Sequence, residues 1–207
     1  MNFIIRSLLI LNALWICCIC AFAQESASRH IIDQTVKGGV ITLYALDPLA
    51  QSFCFRDAGD GHTFYQHEVR NRCSDINFNS YYAEHSAVGV EGERLGAIVD
   101  LGTAEDLRKE YGYEETVGDG QGFASVHIEN GKVLILKDRR SQIMQDLKES
   151  THLFALPAPT AKAPVKVGHV YLARITDQRD RSFQVLVKLL VIGYVPGESV
   201  TFRWQSL

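Results

Sequence analysis

The chain has 207 residues, 46% of them hydrophobic, with 24 acidic against 21 basic side chains and a formal charge of −3 at pH 7. That length gives one ordinary domain, or one domain with an appendage, able to bury a real core. The densest basic cluster, Lys137 to Arg140, has Asp138 inside it, so a mildly acidic chain offers no basic face and nucleic acid is not an expected partner.

Residues 1–23 read as a cleavable signal peptide. Arg6 supplies a positive charge, an apolar stretch runs from Leu8 to Ile19, and Ala21-Phe22-Ala23 places small residues where a signal peptidase reads. Cleavage is expected between Ala23 and Gln24, which predicts a secreted or periplasmic protein with no membrane span after cleavage. An uncleaved anchor fits less well, because a spanning helix needs about 20 apolar residues and this run is shorter and broken by Asn12. A lipid anchor on Cys17, Cys18 or Cys20 also fits poorly, since Leu14-Trp15-Ile16 is too bulky ahead of the cysteines.

Loss of the signal leaves Cys54 and Cys73. A pair of cysteines in an oxidising compartment predicts one intramolecular disulfide. The competing reading is a metal site using Cys54, Cys73, His62 and His67. Histidines five apart share neither a helix face nor a strand face, and no zinc-type spacing is present. No metal and no cofactor are expected.

In chain order, Val40 to Leu46 is rich in β-formers and stops at Asp47-Pro48. Ser52 to Arg56 reads as a short strand, Asp57 to Gly61 as a turn, and His62 to Val69 as a returning strand. After a polar stretch from Arg70 to Asn79, Tyr81 to Val90 and Leu95 to Leu101 read as further strands. Thr103 is a good N-cap for a helix near 103–112, with Glu105 and Asp106 suiting its positive end and Gly112 its stop. Gly118, Gly120 and Gly122 have the wrong spacing for a dinucleotide loop. The hairpin at Asn130-Gly131, flanked by 123–129 and 132–137, is the strongest local signal. Ser141 to Glu149 has Ile143 and Leu147 four apart and suggests a short second helix. Residues 157–165, with Pro157, Pro159 and Pro164, read as a linker or surface loop. Beyond it, 169–176, 182–194 and 199–204 form a three-stranded antiparallel meander, with Pro196-Gly197 at its second turn.

These elements predict a mainly β protein, β-sandwich-like or two packed antiparallel sheets, with one or two short helices. The main segment is 24–156 and the C-terminal meander 166–207, the meander packing on the main segment as a second sheet.

No nucleophile motif is present. Ser125, His127 and Glu129 alternate on one strand face, about 7 Å apart at the backbone, too far for direct triad contacts. The carboxylates Glu105, Asp106, Glu114 and Glu115 fall on a helix or its exit. Glu91, Glu93 and Asp100 lack calcium-loop spacing. Aromatics crowd the segment around the cysteines: Phe53, Phe55, Phe64, Tyr65, Phe78, Tyr81 and Tyr82, interleaved with Arg70, Asn71, Asn77 and Asn79. Aromatic faces beside amides suit a carbohydrate or a peptide, and Phe64, Tyr65, Tyr81 and Tyr82 are the candidate ligand-binding residues. The same rings would also serve as core. The expected function is therefore a non-enzymatic exported protein that binds or scaffolds at the cell envelope or outside. The alternative is a small secreted hydrolase whose site assembles only in three dimensions.

Overall fold

The computed structural model describes residues 38–56, 58–60, 65–66, 69–70, 74–85, 87–90, 94–114, 122–123, 126–138, 143–155, 161–178 and 181–207. The expected signal segment lies outside these residues.

The strands are β1 (Gly38–Tyr44), β2 (Ser52–Cys54), β3 (Gly59–Asp60), β4 (Tyr65–Gln66), β5 (Val69–Arg70), β6 (Ile76–Asn77), β7 (Ala87–Gly89), β8 (Arg94–Thr103), β9 (Val126–Glu129), β10 (Lys132–Asp138), β11 (Ile143–Asp146), β12 (Lys162–Pro164), β13 (His169–Asp177), β14 (Gln184–Val195) and β15 (Ser199–Ser206). Two helices, α1 (Ser80–Glu84) and α2 (Ala104–Tyr111), and a 3-10 helix (Lys148–Phe154) complete the described elements. The protein is mainly β, built from antiparallel sheets with few short helices, as its composition of β-formers and turns predicts.

A five-stranded sheet in the order β1-β15-β14-β13-β8 lies at the centre, and both of its faces are buried. Alternation along β14 shows why. Val187, Leu189 and Val191 point into one core with Tyr171, Ala173, Ile175, Phe202 and Trp204. Leu186 and Leu190 point into the other with Val170 and Leu172. The first core is closed by an outer sheet in the order β12-β7-β6-β2-β3, whose Phe53 and Phe55 rings meet Trp204 at 5.5 and 5.3 Å between centroids. The second is closed by α2, the 3-10 helix and the β11-β10-β9 sheet, through Leu107, Tyr111, Val133, Ile135, Leu147 and Leu153. Each such side chain contributes about 1.5–3 kcal/mol on burial, so a sheet covered twice is the main source of stability.

Lys188 of β14 is buried in the second layer beside Leu186 and Leu190, its ammonium 5.3 Å from the Tyr113 ring centre. The aromatic face offers a cation a partial substitute for water.

Local chemistry sets several elements as expected. Thr103 caps α2 by accepting from the Asp106 amide, and the helix ends at Gly112. Asn130 and Gly131 take φ of 51° and 71°, the two positive values a type I′ turn requires, and Val133 pairs with Ile128.

Four expected assignments are corrected. Tyr81 to Val90 is not one strand: Asn79 accepts from the Tyr82 amide and caps α1, and only Ala87–Gly89 is extended. Ile143 to Leu147 is not helical. Ile143–Asp146 pairs with β10 as a third strand, and the turn of helix begins only at Lys148. Lys162–Pro164 is not loop, since it pairs with β7 as an edge strand of the outer sheet. Pro164, its last residue, is tolerated there because an edge strand leaves one side of its backbone unpaired. The C-terminal meander also does not form a sheet of its own. β13 pairs with β8 and β15 with β1, so it is the middle of the central sheet.

Candidate functional site

β8 does not run straight. Asp100 pairs with Tyr171 and Gly102 with Val170, so Leu101 is an extra residue, and Gly102 takes φ of 96°. Such a bulge re-aims the neighbouring side chain. Here that side chain is Asp100, which turns back to accept from the Gly102 amide at 2.9 Å. It also accepts from Lys166 Nζ at 2.9 Å and from His169 Nδ1 at 2.9 and 3.1 Å. Desolvation acts to raise the Asp100 carboxyl, but the bonds from His169, Lys166 and Gly102 outweigh it and hold the group below its ordinary value. An ionised carboxylate can only accept, so His169 donates to it from Nδ1.

Tyr171 secures the other side of this cluster. Its hydroxyl donates to the Pro164 carbonyl at 2.8 Å and accepts from the Lys166 amide at 3.1 Å. Burial first, and then the Asp100 charge, push that hydroxyl above its ordinary range, so it stays a donor.

Asp100 also lines a cleft of about 340 Å³ with Ile98, Val99, His152, Lys162, Ala163 and Pro164. The apolar lining comes from β8 and β12, and Asp100, His152 and Lys162 are the ionisable residues of the lining. Lys162 carries the cleft outward, its Nζ standing 5.8 Å from the centre of the Tyr81 ring. Tyr81 is 54% exposed and its ring lies 4.7 Å from that of His85, whose Nδ1 donates to the Tyr81 carbonyl at 2.8 Å. A second hollow, about 740 Å³ and open, lies beside the end of β1, lined by Tyr44, Leu46, Asp47, Pro48, Pro196, Gly197 and Glu198. Its two charged residues carry the same sign, so it lacks the mixed polar set of the first.

The candidate ligand-binding residues separate. Tyr81 reaches the rim of the cleft through Lys162, whereas Tyr82 is buried against Gly89, where an added Cβ would lie 2.4 Å from its ring. Tyr65 opens β4, and Phe64 lies outside the described residues. Phe53, Phe55 and Phe78 are core. Cys54 is buried at the end of β2, while Cys73, His62 and His67 lie outside the described residues. His127 and Glu129 are exposed on β9, and Ser125 lies outside the described residues. Glu105, Asp106 and Glu114 are exposed, Glu105 pairing with Lys109 at 2.9 Å. Among the described residues no group of three or more His, Cys, Asp or Glu could hold a metal ion, and no helix is long and apolar enough to cross a membrane.

Sequence reasoning placed Asp100 with Glu91 and Glu93, and missed Lys166, His169 and His152. The one local hint was Asp100-Leu101-Gly102, an acid two residues before a glycine at a strand end, where a side chain can fold back on its own backbone.

Compared with protein-family models, with curated proteins and with solved structures, the chain matches none.

Proposed function

We propose that the protein is exported, with cleavage after Ala23, and acts in the periplasm or outside the cell as a non-enzymatic binding protein whose ligand occupies the cleft between β8 and β12. The observation that carries the binding reading is that Asp100, His152 and Lys162 line one largely apolar cleft, with the exposed Tyr81 beside Lys162. A few placed polar groups on an apolar lining are the general form of a small-ligand site. A short carbohydrate or peptide suits it, with its apolar face on Ile98, Val99 and Pro164 and its polar groups on Asp100 and Lys162.

Amide-resolved NMR titration tests this reading, with chitotriose and a pool of acetylated tripeptides as probes. One probe is expected to shift residues 98–100, 152 and 162–164 together with Tyr81. Shifts confined to other surfaces, or none with either probe, would refute the cleft as the site. The Asp100–His169 pair favours a second reading, a small secreted hydrolase, because an ionised carboxylate holding Nδ1 leaves Nε2 able to take a proton. Cleavage of a probe during the titration, abolished by His169→Gln, would establish that alternative.

Export rests on the charged, apolar and small-residue order of residues 1–23. Mass spectrometry of the exported product is expected to find Gln24 as its first residue, free or cyclised to pyroglutamate. A mature product retaining Arg6 would show an anchor instead.

A disulfide between Cys54 and Cys73 belongs to the same reading. Cys54 is buried. The β2–β6 ladder supports the pairing, because Phe53 is opposite Ile76 and the Phe55 amide donates to Asp75 at 2.9 Å. Asp75 therefore lies beside Cys54, and two residues of chain reach no further than about 7 Å from Asp75 to Cys73.

A further inference from the structure

Both oxygens of Asp100 are engaged within the protein. Oδ1 accepts from the Gly102 amide and from His169, while Oδ2 accepts from Lys166 and lies 3.1 Å from His169 Nδ1. The carbonyl of Pro164, in the same lining, already takes the Tyr171 hydroxyl. These acceptors are occupied before any ligand arrives.

The donors of the lining are not. Among the described residues no acceptor meets Lys162 Nζ or the His152 ring, and both side chains are exposed. The backbone of Lys162 is fixed by its pairing with Gly89 in the β12–β7 ladder. Its ammonium stands 5.8 Å from the centre of the Tyr81 ring. An aromatic face restrains an ammonium without neutralising it, so a whole positive charge remains in the lining. His152, in the last turn of the 3-10 helix, adds a second donor.

This asymmetry sorts ligands by charge and by polarity. A sugar brings many hydroxyls, and each one buried without an acceptor is costly. Ile98, Val99, Ala163 and Pro164 offer only hydrocarbon side chains. A peptide end demands less. Its last residue carries a carboxylate and a side chain on one Cα, so a single residue supplies both an anion and an apolar group. A cleft of about 340 Å³ is at the small end for a ligand pocket, which suits the end of a chain better than its passage.

We propose, resting on the cleft between β8 and β12 as the ligand site, that it binds the C-terminal carboxylate of a peptide whose last side chain is apolar. Lys162 is the anchoring cation. Asp100 is already engaged, so the ligand's strongest contact falls to Lys162, and the apolar side chain lies on Ile98, Val99 and Pro164.

Amide-resolved NMR titration with matched probes tests this assignment. The probes are N-acetyl-Gly-Ala-Leu as its free acid, the same peptide as its C-terminal amide, and trigalacturonate. The free acid is expected to shift residues 98–100, 152 and 162–164. The amide is expected to bind there about fivefold more weakly, the scale of one ion pair at an open site. Lys162→Gln is expected to bring the acid down to the affinity of the amide, while Lys162→Arg keeps the preference. Both substitutions fall on an exposed side chain, and unchanged amide signals away from the cleft check the fold. Equal binding of acid and amide overturns the carboxylate assignment while leaving the cleft as the site. Trigalacturonate shifting these residues when the peptide acid does not also overturns it, because the carboxylate is then a sugar's. A preference undiminished in Lys162→Gln overturns it too, since the anchor then lies elsewhere. Binding by none of the probes, or only at other surfaces, overturns the cleft itself and the assignment with it.

Discussion

Replacing Arg94 by methionine is expected to remove about 3–5 kcal/mol of folding stability, the usual effect of stripping one partner from a buried charge cluster. Arg94 begins β8 and pairs across the ladder with Asp177 at the end of β13, its Nη1 donating to Asp177 Oδ2 at 2.6 Å. Its Nε lies 2.7 Å from Asp75 Oδ1, which reaches over from the outer sheet. The guanidinium also lies against Phe183, 4.0 Å from the ring centre. All three charged side chains are at most 2% exposed. Methionine fills much of the volume but removes the one buried cation between two buried carboxylates, leaving the exposed Arg56 to act on Asp75 from a distance. Urea unfolding reads the loss directly, and at about 2–4 °C per kcal/mol for a domain of this size it appears as a melting shift of about 6–20 °C. Restoring charge balance with Asp75→Asn and Asp177→Asn in the same chain is expected to recover most of it. A loss below about 1 kcal/mol in R94M would show that the cluster does not hold the sheets together.

The cluster also sets a pH dependence. One arginine between two carboxylates leaves a net negative charge in the interior, and burial pushes the Asp75 carboxyl above its ordinary value against the pull of Arg94. The folded state therefore holds the Asp75 proton more tightly than the unfolded state. Its contribution is complete below the ordinary value of 3.8 and is lost as pH rises through the raised folded value. Asp75→Asn removes that slope. Asp100, held below its ordinary value, works in the opposite sense and loses its contribution as pH falls.

The second large effect follows from the proposed bridge. Neither Cys54 nor Cys73 is expected to react with a thiol label until reductant is added. The Cys54→Ser/Cys73→Ser variant is expected to lose about 2–4 kcal/mol, chiefly by releasing a constraint on the unfolded chain. The bridge requires the two Cα atoms to lie about 4.4–6.8 Å apart with side chains facing. Prompt labelling of either cysteine in the folded, unreduced protein would eliminate it.

The elements readable in advance are those whose cause is local. Asn130-Gly131 needs only two positive φ angles, and Thr103 needs only the amide of Asp106. α1 was hidden because Tyr81 and Tyr82 favour strands, and the capping bond from Asn79 outweighs that preference. β11 and β12 were hidden because their partners decide them: Met144 is extended through its pairing with Leu136, and Ala163 through Val88. The site was hidden for the same reason. Asp100 meets Lys166 and His169 across 66 and 69 residues of sequence, brought together by a ladder register and a bulge that no spacing records. The aromatic cluster was visible as a cluster, but composition does not separate Tyr81 on the surface from Tyr82 beneath it.

The pairing of β1 with β15 has a consequence for how the molecule comes into being. Thr42 and Thr201, which meet hydroxyl to hydroxyl at 3.0 Å, are 159 residues apart. The first described strand therefore has no neighbour until the last is available, and closing so long a loop before any bond rewards it makes folding slow. A nascent chain cannot complete its central sheet until β15 has been made, so β1 stays without its ladder while residues 45–198 are synthesised.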